Sequence, residues 1–181
     1  MVSATEQRRF AGVVLVVLIL DLATKLAAEV WLPHYLGVPI LGDLFQLRLV
    51  YNRGAAFGIN VGAYSRWVFM ALSIAALFVL GGMLRTTRAG DRVRLYALAL
   101  ICAGAAGNLV DRFRSPRGVV DFLDFTFGTF HFPTFNVADS AVTCGAVLLA
   151  LSLWNDGRRV ESARPARAVA PAPGAAPPAA S

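Results

Sequence analysis

Two aspartates in this 181-residue sequence stand where a carboxylate is costly. Asp139 opens the uncharged, mostly apolar run Ser140–Trp154, and Asp121 sits among apolar neighbours in GVVDFLDF. A carboxylate beside lipid is expensive, and such residues mark functional sites by default. Carboxylates brought close together do not readily both ionise, so one keeps a proton near neutral pH. The ionised member then takes a proton from water while the protonated member polarises a carbonyl. That is peptide hydrolysis by an aspartate pair, and it needs neither metal nor a serine or cysteine nucleophile. Ser140 and Ser152 have no suitably placed Lys or His base. His34 and His131 are isolated and lack a third ligand, so no metal or other cofactor is expected. Cys102 and Cys144 lie inside apolar runs and read as packing residues.

Further polar residues share the depth of Asp139. Asp21 and Lys25 are four apart on one helix face, and Asn108 and Asp111 are three apart at the end of another apolar run. Each has a structural reading as well. Asp21 and Lys25 read better as an ion pair or helix-end anchor than as catalysts, and Asp111 with Arg112 reads as a pair at the membrane surface. Asn136 suits a helix N-cap, Asp139 a first-turn carboxylate facing the helix dipole, and Asp121 a solvated loop. The residues alone do not bring Asp121 to Asp139. A proton-coupled transport subunit remains a competing class, although the mid-spans offer no relay of ionisable groups. A non-catalytic lipid-binding or assembly protein is a third.

The elements that position these residues follow from composition. The chain is 57% hydrophobic and 15% charged, with mean hydropathy +0.61. A soluble domain is typically about half apolar and about a quarter charged. Four runs, about 10–28, 66–84, 95–110 and 135–154, approach the roughly 20 helical residues that cross a bilayer core. The third is short. Net charge is +6, but the arginines punctuate the apolar runs instead of forming one basic face, so no nucleic-acid partner is expected. Arg8, Arg9, Arg85, Arg88, Arg92, Arg94, Arg158, Arg159, Arg164 and Arg167 fall on one side of the spans. The positive-inside rule makes that side cytoplasmic, with both termini there and the polar cluster near the outer face. The N-terminal run reads as a retained first helix, because Asp21 and Lys25 interrupt where a signal-peptide cleavage region would lie.

The outer connections are strand-like. LFQLRLVYN (44–52) alternates with Phe45, Leu47, Leu49 and Tyr51 on one face, and the Phe-rich DFLDFTFGTFHF has Gly128 as its turn. The expected fold is an all-α polytopic membrane protein of four transmembrane helices with a small extracytoplasmic β-rich cradle. It forms one domain over 1–160, followed by a disordered Pro/Ala-rich cytoplasmic tail over 161–181.

Five motifs in order give the chain a resemblance to the lipoprotein signal peptidases, or signal peptidase II. DLATK (21–25), NRGAAFG (52–58), GAAGNLVDR (104–112), VVDF (119–122) and FNVADS (135–140) carry it, between Phe10 and about Trp154. The resemblance implies a membrane aspartic endopeptidase of the bacterial inner membrane. Its substrates would be diacylglyceryl-modified prolipoproteins, cut before the lipidated cysteine, and its surroundings membrane lipids, with no obligate protein partner. By motif, the catalytic pair falls on Asp121 and Asp139. Asp21, Lys25, Asn52, Gly54, Asn108, Asp111, Arg112, Asn136 and Ala138 match positions that build and support the site. Within it, Asn52 is expected to offer its amide to a substrate carbonyl, and Arg112 to balance charge or meet a lipid phosphate.

Overall fold

A computed structural model describes residues 2–34, 36–54 and 62–162, with side chains through 158. Four helices dominate it: α1 (Ala4–Trp31), α2 (Ser65–Thr86), α3 (Arg92–Arg114) and α4 (Val137–Ser162). All four are long and apolar enough to cross a membrane. Large apolar side chains stand exposed along α1, α2 and α4, among them Leu15, Ile19, Phe78, Val79, Leu151 and Trp154. In water this would be untenable; facing lipid it is the expected outcome.

The third helix is central, packing against α1, α2 and α4. It is also longer than its apolar run suggests, 23 residues with Asp91 accepting from the Arg94 N–H at its start. Its last turns stay helical although they carry Asn108, Asp111 and Arg112, because those side chains turn toward protein. Asp111 is fully buried and Arg112 nearly so. The small-residue stretch lets neighbouring helices approach. A Cβ on Gly107 would strike the carboxylate of Asp21, and one on Gly104 would strike the carbonyl oxygen of Ala138.

The fold is not strictly all-α. An antiparallel sheet runs in the order β1 (Val38–Leu41), β2 (Phe45–Asn52), β3 (Val119–Phe127), β4 (Phe130–His131). Strands β2 and β3 carry the strand patterns read in the sequence, and Gly128 lies in the turn between β3 and β4. The alternation in β2 survives a register shift between Leu47 and Val50: Leu49 is buried, with Leu47 and Tyr51 packed on its face. That face meets Ala28 at the end of α1 together with Val120 and Phe122 of β3. Strand β1 is new to the structure. Its four residues are exposed and include Pro39, as suits an edge strand.

The tail from residue 163 lies outside the described residues, while Glu161 and Ser162 continue α4. In the motif NRGAAFG, residues 55–58 also lie outside them.

Candidate active site

Asp121 reaches the site from a strand and Asp139 from a helix. Strand β3 pairs with β2 in a register that sets Val50 against Asp121 and Asn52 against Val119. Gly118, with φ 110°, makes this possible: a side chain there would collide with the carbonyl of Asn52. Asn52 is thereby delivered beside the strand, and its Nδ2 donates to Asp121 Oδ2 at 3.0 Å.

Asp139 is the third residue of α4, and Asn136 caps that helix. The Asp139 N–H donates to Asn136 Oδ1 at 2.9 Å, while the Asn136 N–H donates to Asp139 Oδ2 at 3.2 Å. This reciprocal capping box fixes the first turn. Asn136 is more than a cap, however. Its Nδ2 donates to Asp121 Oδ1 at 2.7 Å, so one buried amide holds both aspartates. Asn108 completes the bracket, donating from Nδ2 to Asp139 Oδ1 at 2.8 Å. The two carboxylates therefore share a site, lining one cavity of about 420 Å³ with Asn52, Asn108 and Arg112.

The other predicted residues form a layer that does not line this cavity. Lys25 is fully buried, with Nζ 2.7 Å from Asp21 Oδ2, 3.0 Å from Asp111 Oδ2 and 2.9 Å from Asn108 Oδ1. Asp21 also accepts from the Ala138 N–H at 2.8 Å, pinning the first turn of α4 to α1. Asp111 accepts from the Val120 N–H at 3.2 Å, pinning β3 to α3. Lys25 thus ties α1 to α3, and Asp21 ties both to α4, behind the catalytic candidates.

Asn52 and Arg112 both have partners within the protein. Asn52 directs its amide to Asp121, and its Oδ1 accepts from the Gly54 N–H at 2.9 Å. Arg112 does not pair with Asp111; it donates to the carbonyls of Asn108 at 3.2 Å and Gly54 at 3.0 Å.

The structure adds residues that the motifs passed over. Phe132 walls the cavity at the sheet side, edge to face at 5.5 Å with Phe135, the first residue of the last motif. Thr143, four residues beyond Asp139, extends it down α4; the helical period from Asp139 would have found it. Asp124, buried in β3, lies 3.1 Å from Arg48 Nε and 2.7 Å from His131 Nε2. Glu29 gathers Arg114 at 2.7 Å, Arg117 at 3.2 Å and the Tyr51 hydroxyl at 3.1 Å. These last groups join residues far apart in sequence and carry no local signal.

Burial, and after it the negative charge of Asp139, push the Asp121 carboxyl up to about 7. The amides of Asn52 and Asn136 and the charge of Lys25 pull the other way without prevailing. At neutral pH Asp121 is thus divided between its two forms, as a general acid working there requires.

Four membrane-length helices, a small sheet at one end of them and two carboxylates on one cavity describe a multi-pass membrane protein with the makings of a hydrolase site. A family model described as signal peptidase (SPase) II matches residues 13–155. Among curated relatives, the lipoprotein signal peptidases of Burkholderia pseudomallei (strain K96243) and Paraburkholderia phytofirmans are each 43% identical over 155 residues. The alignments cover 84% of this chain and 90% and 87% of theirs. Two solved bacterial membrane enzyme structures superpose with TM-scores of 0.76 and 0.73, each at 28% identity. They cover 83% and 82% of this chain and 90% and 94% of theirs. The chain belongs to the signal peptidase II family. It is accordingly a protease that removes signal peptides, and its four spans fit a multi-pass protein of the inner membrane.

Proposed function

We propose that the chain is an aspartic endopeptidase that cuts diacylglyceryl-modified prolipoproteins immediately before the lipidated cysteine, with Asp121 and Asp139 as its catalytic pair. The observation that carries this reading is the amide bracket: two carboxylates on one cavity, Asp121 buried and Asp139 half-buried, held by Asn52, Asn108 and Asn136. Neither takes part in an ion pair among the described residues. A salt-bridged aspartate is quenched as a base, whereas one held by neutral amides keeps its basicity and its aim.

In the proposed cycle Asp121 begins protonated and Asp139 ionised. Water between them gives a proton to Asp139 and its oxygen to the carbonyl carbon, while Asp121 protonates the carbonyl oxygen. The resulting gem-diol collapses as Asp139 returns its proton to the leaving amine and Asp121 recovers one from a diol hydroxyl. Both carboxyls end as they began, and one water is consumed.

The apolar character of the substrate's lipid suits the setting. Thr143 and Cys144 carry the cavity along α4 toward bilayer depth, where acyl chains on the cysteine would lie. The distribution of arginines supports cytoplasmic termini and a site at the outer face. Asp21, Lys25, Asn108, Asp111, Asn136 and Ala138 position the pair, Arg112 and Asn52 shape the cavity wall, and the Gly54 backbone holds those two side chains.

The test is cleavage of a purified lipidated precursor and of the same precursor without lipid, followed by gel shift. Cutting of the lipidated form alone, insensitive to chelator and lost in Asp121→Asn and Asp139→Asn, supports the reading. Near-normal cutting by either variant overturns the assignment of the pair.

A further inference from the structure

A second recess of about 400 Å³ lies at the junction of α2, the end of α3 and the connection into β3. Arg112 lines both it and the carboxylate cavity, dividing one from the other. Three arginines, Arg53, Arg66 and Arg112, line this recess, and among the described residues that line it there is no carboxylate.

Two of those arginines are fixed in place without being neutralised. Arg66 donates from Nε to the Arg112 carbonyl at 2.7 Å and from Nη2 to the Phe113 carbonyl at 3.3 Å. Among the described residues Arg112 likewise bonds carbonyls, those of Asn108 and Gly54. Arg66 Nη1 and Arg112 Nε are left over from these bonds. Arg53 is exposed and makes no hydrogen bond or ion pair with any described residue. The carboxylates that act on Arg112 at longer range, Asp139, Asp121 and Asp111, do not line the recess.

The depth is that of lipid headgroups. Trp67, 61% exposed in the first turn of α2, stands at the rim with the Arg66 guanidinium 5.3 Å from its ring centre. Tryptophan at the end of a spanning helix sits at the level of the headgroups. The start of α2 adds its positive end. Unneutralised guanidinium groups at that level match a phosphate, which takes paired N–H donors.

We propose that this recess binds the phosphate of an anionic phospholipid, with Arg53 and Arg66 as its anchors. The thioether-linked diacylglyceryl group of the proposed substrate carries no phosphate, so the occupant is a second lipid and not the substrate. Bound there, it braces Arg112 from behind the catalytic cavity.

The test uses the full-length protein in nanodiscs of neutral phosphatidylcholine, with phosphatidylglycerol titrated in. Retained lipid is read by native mass spectrometry and the unfolding midpoint by thermal denaturation. Phosphatidylglycerol should be retained and raise the midpoint, and Arg53→Gln/Arg66→Gln should abolish both effects. Arg88→Gln, at the opposite end of the helices, should change neither. Because Arg66 also caps α3, Arg53→Gln alone must weaken retention by about fivefold, the equivalent of one lipid-facing arginine. Equal retention by wild type and Arg53→Gln overturns the proposal. So does a midpoint raised by inorganic phosphate in purely neutral discs but not by phosphatidylglycerol, since the ligand would then be free phosphate.

Discussion

The molecule sets two pairs of carboxylates a short way apart and treats them in opposite ways. Asp21 and Asp111 lie against Lys25 at 2.7 and 3.0 Å, with further bonds from the backbone of Ala138 and Val120. Asp121 and Asp139 have only neutral donors, Asn52, Asn108, Asn136 and a main-chain N–H. The first set spends its charge on connecting helices. The second keeps its charge available, and an aspartate near a carboxylate neighbour is then driven toward proton uptake. A cation separates architecture from chemistry here, and Asn108 touches both sides, accepting from Lys25 and donating to Asp139.

The strongest way to sharpen this contrast is to remove charge from the amide-held pair. Asp139→Asn or Asp121→Asn should lower turnover by about a hundred- to ten-thousandfold and leave the thermal midpoint near that of wild type. A midpoint that falls steeply would place the pair in the architectural set. The complementary break is Lys25→Met, which leaves buried Asp21 without a cation and Asp111 with only Arg114, at 3.5 Å. It should cost about 3–5 kcal/mol of stability, read by denaturation in detergent, and adding Asp111→Asn should return part of that loss. Smaller is Gly107→Ala, whose new methyl must displace the Asp21 carboxylate; a loss of about 1–3 kcal/mol is expected by the same assay.

The last prediction concerns protons. Asp121 is at about 7 in the fold against an ordinary 3.8. Turnover should therefore decline above about pH 7 as the general acid ionises. Asn52→Ala removes a donor that favours the ionised form, so the alkaline limb should move to higher pH. Stability has its own sign. Between 3.8 and about 7 the folded protein holds a proton that the unfolded chain has lost, so this group lowers stability as pH rises through that window. Asp121→Asn should remove that slope, while Lys25→Met should not.

Much of this arrangement was legible because membranes enforce regularity. Apolar runs of near-spanning length gave the helices, and alternation gave β2 despite its shifted register. The pairing proposed for Asp121 and Asp139 rests on motif order in the sequence, since no local pattern joins a strand at 121 to a helix at 139. Helix ends were read less well. Segment 95–110 stopped where polar residues began, yet α3 runs on to Arg114 because those residues face protein and not lipid. Strand β1 was missed because its four side chains are all exposed and show no alternation. Asn136 was read as a cap or as part of the site; only the coordinates show that one side chain does both.

That double duty has a kinetic consequence. The amide hydrogen of Asp139 is the one that closes the cap, so any breathing of the first turn of α4 that lets this hydrogen exchange with solvent also swings the carboxylate off Asn108. The exchange rate of a single backbone site therefore counts the fraction of molecules in which the carboxylate has left its working position. A compound that seats between the two aspartates should slow that exchange before any change in product is seen.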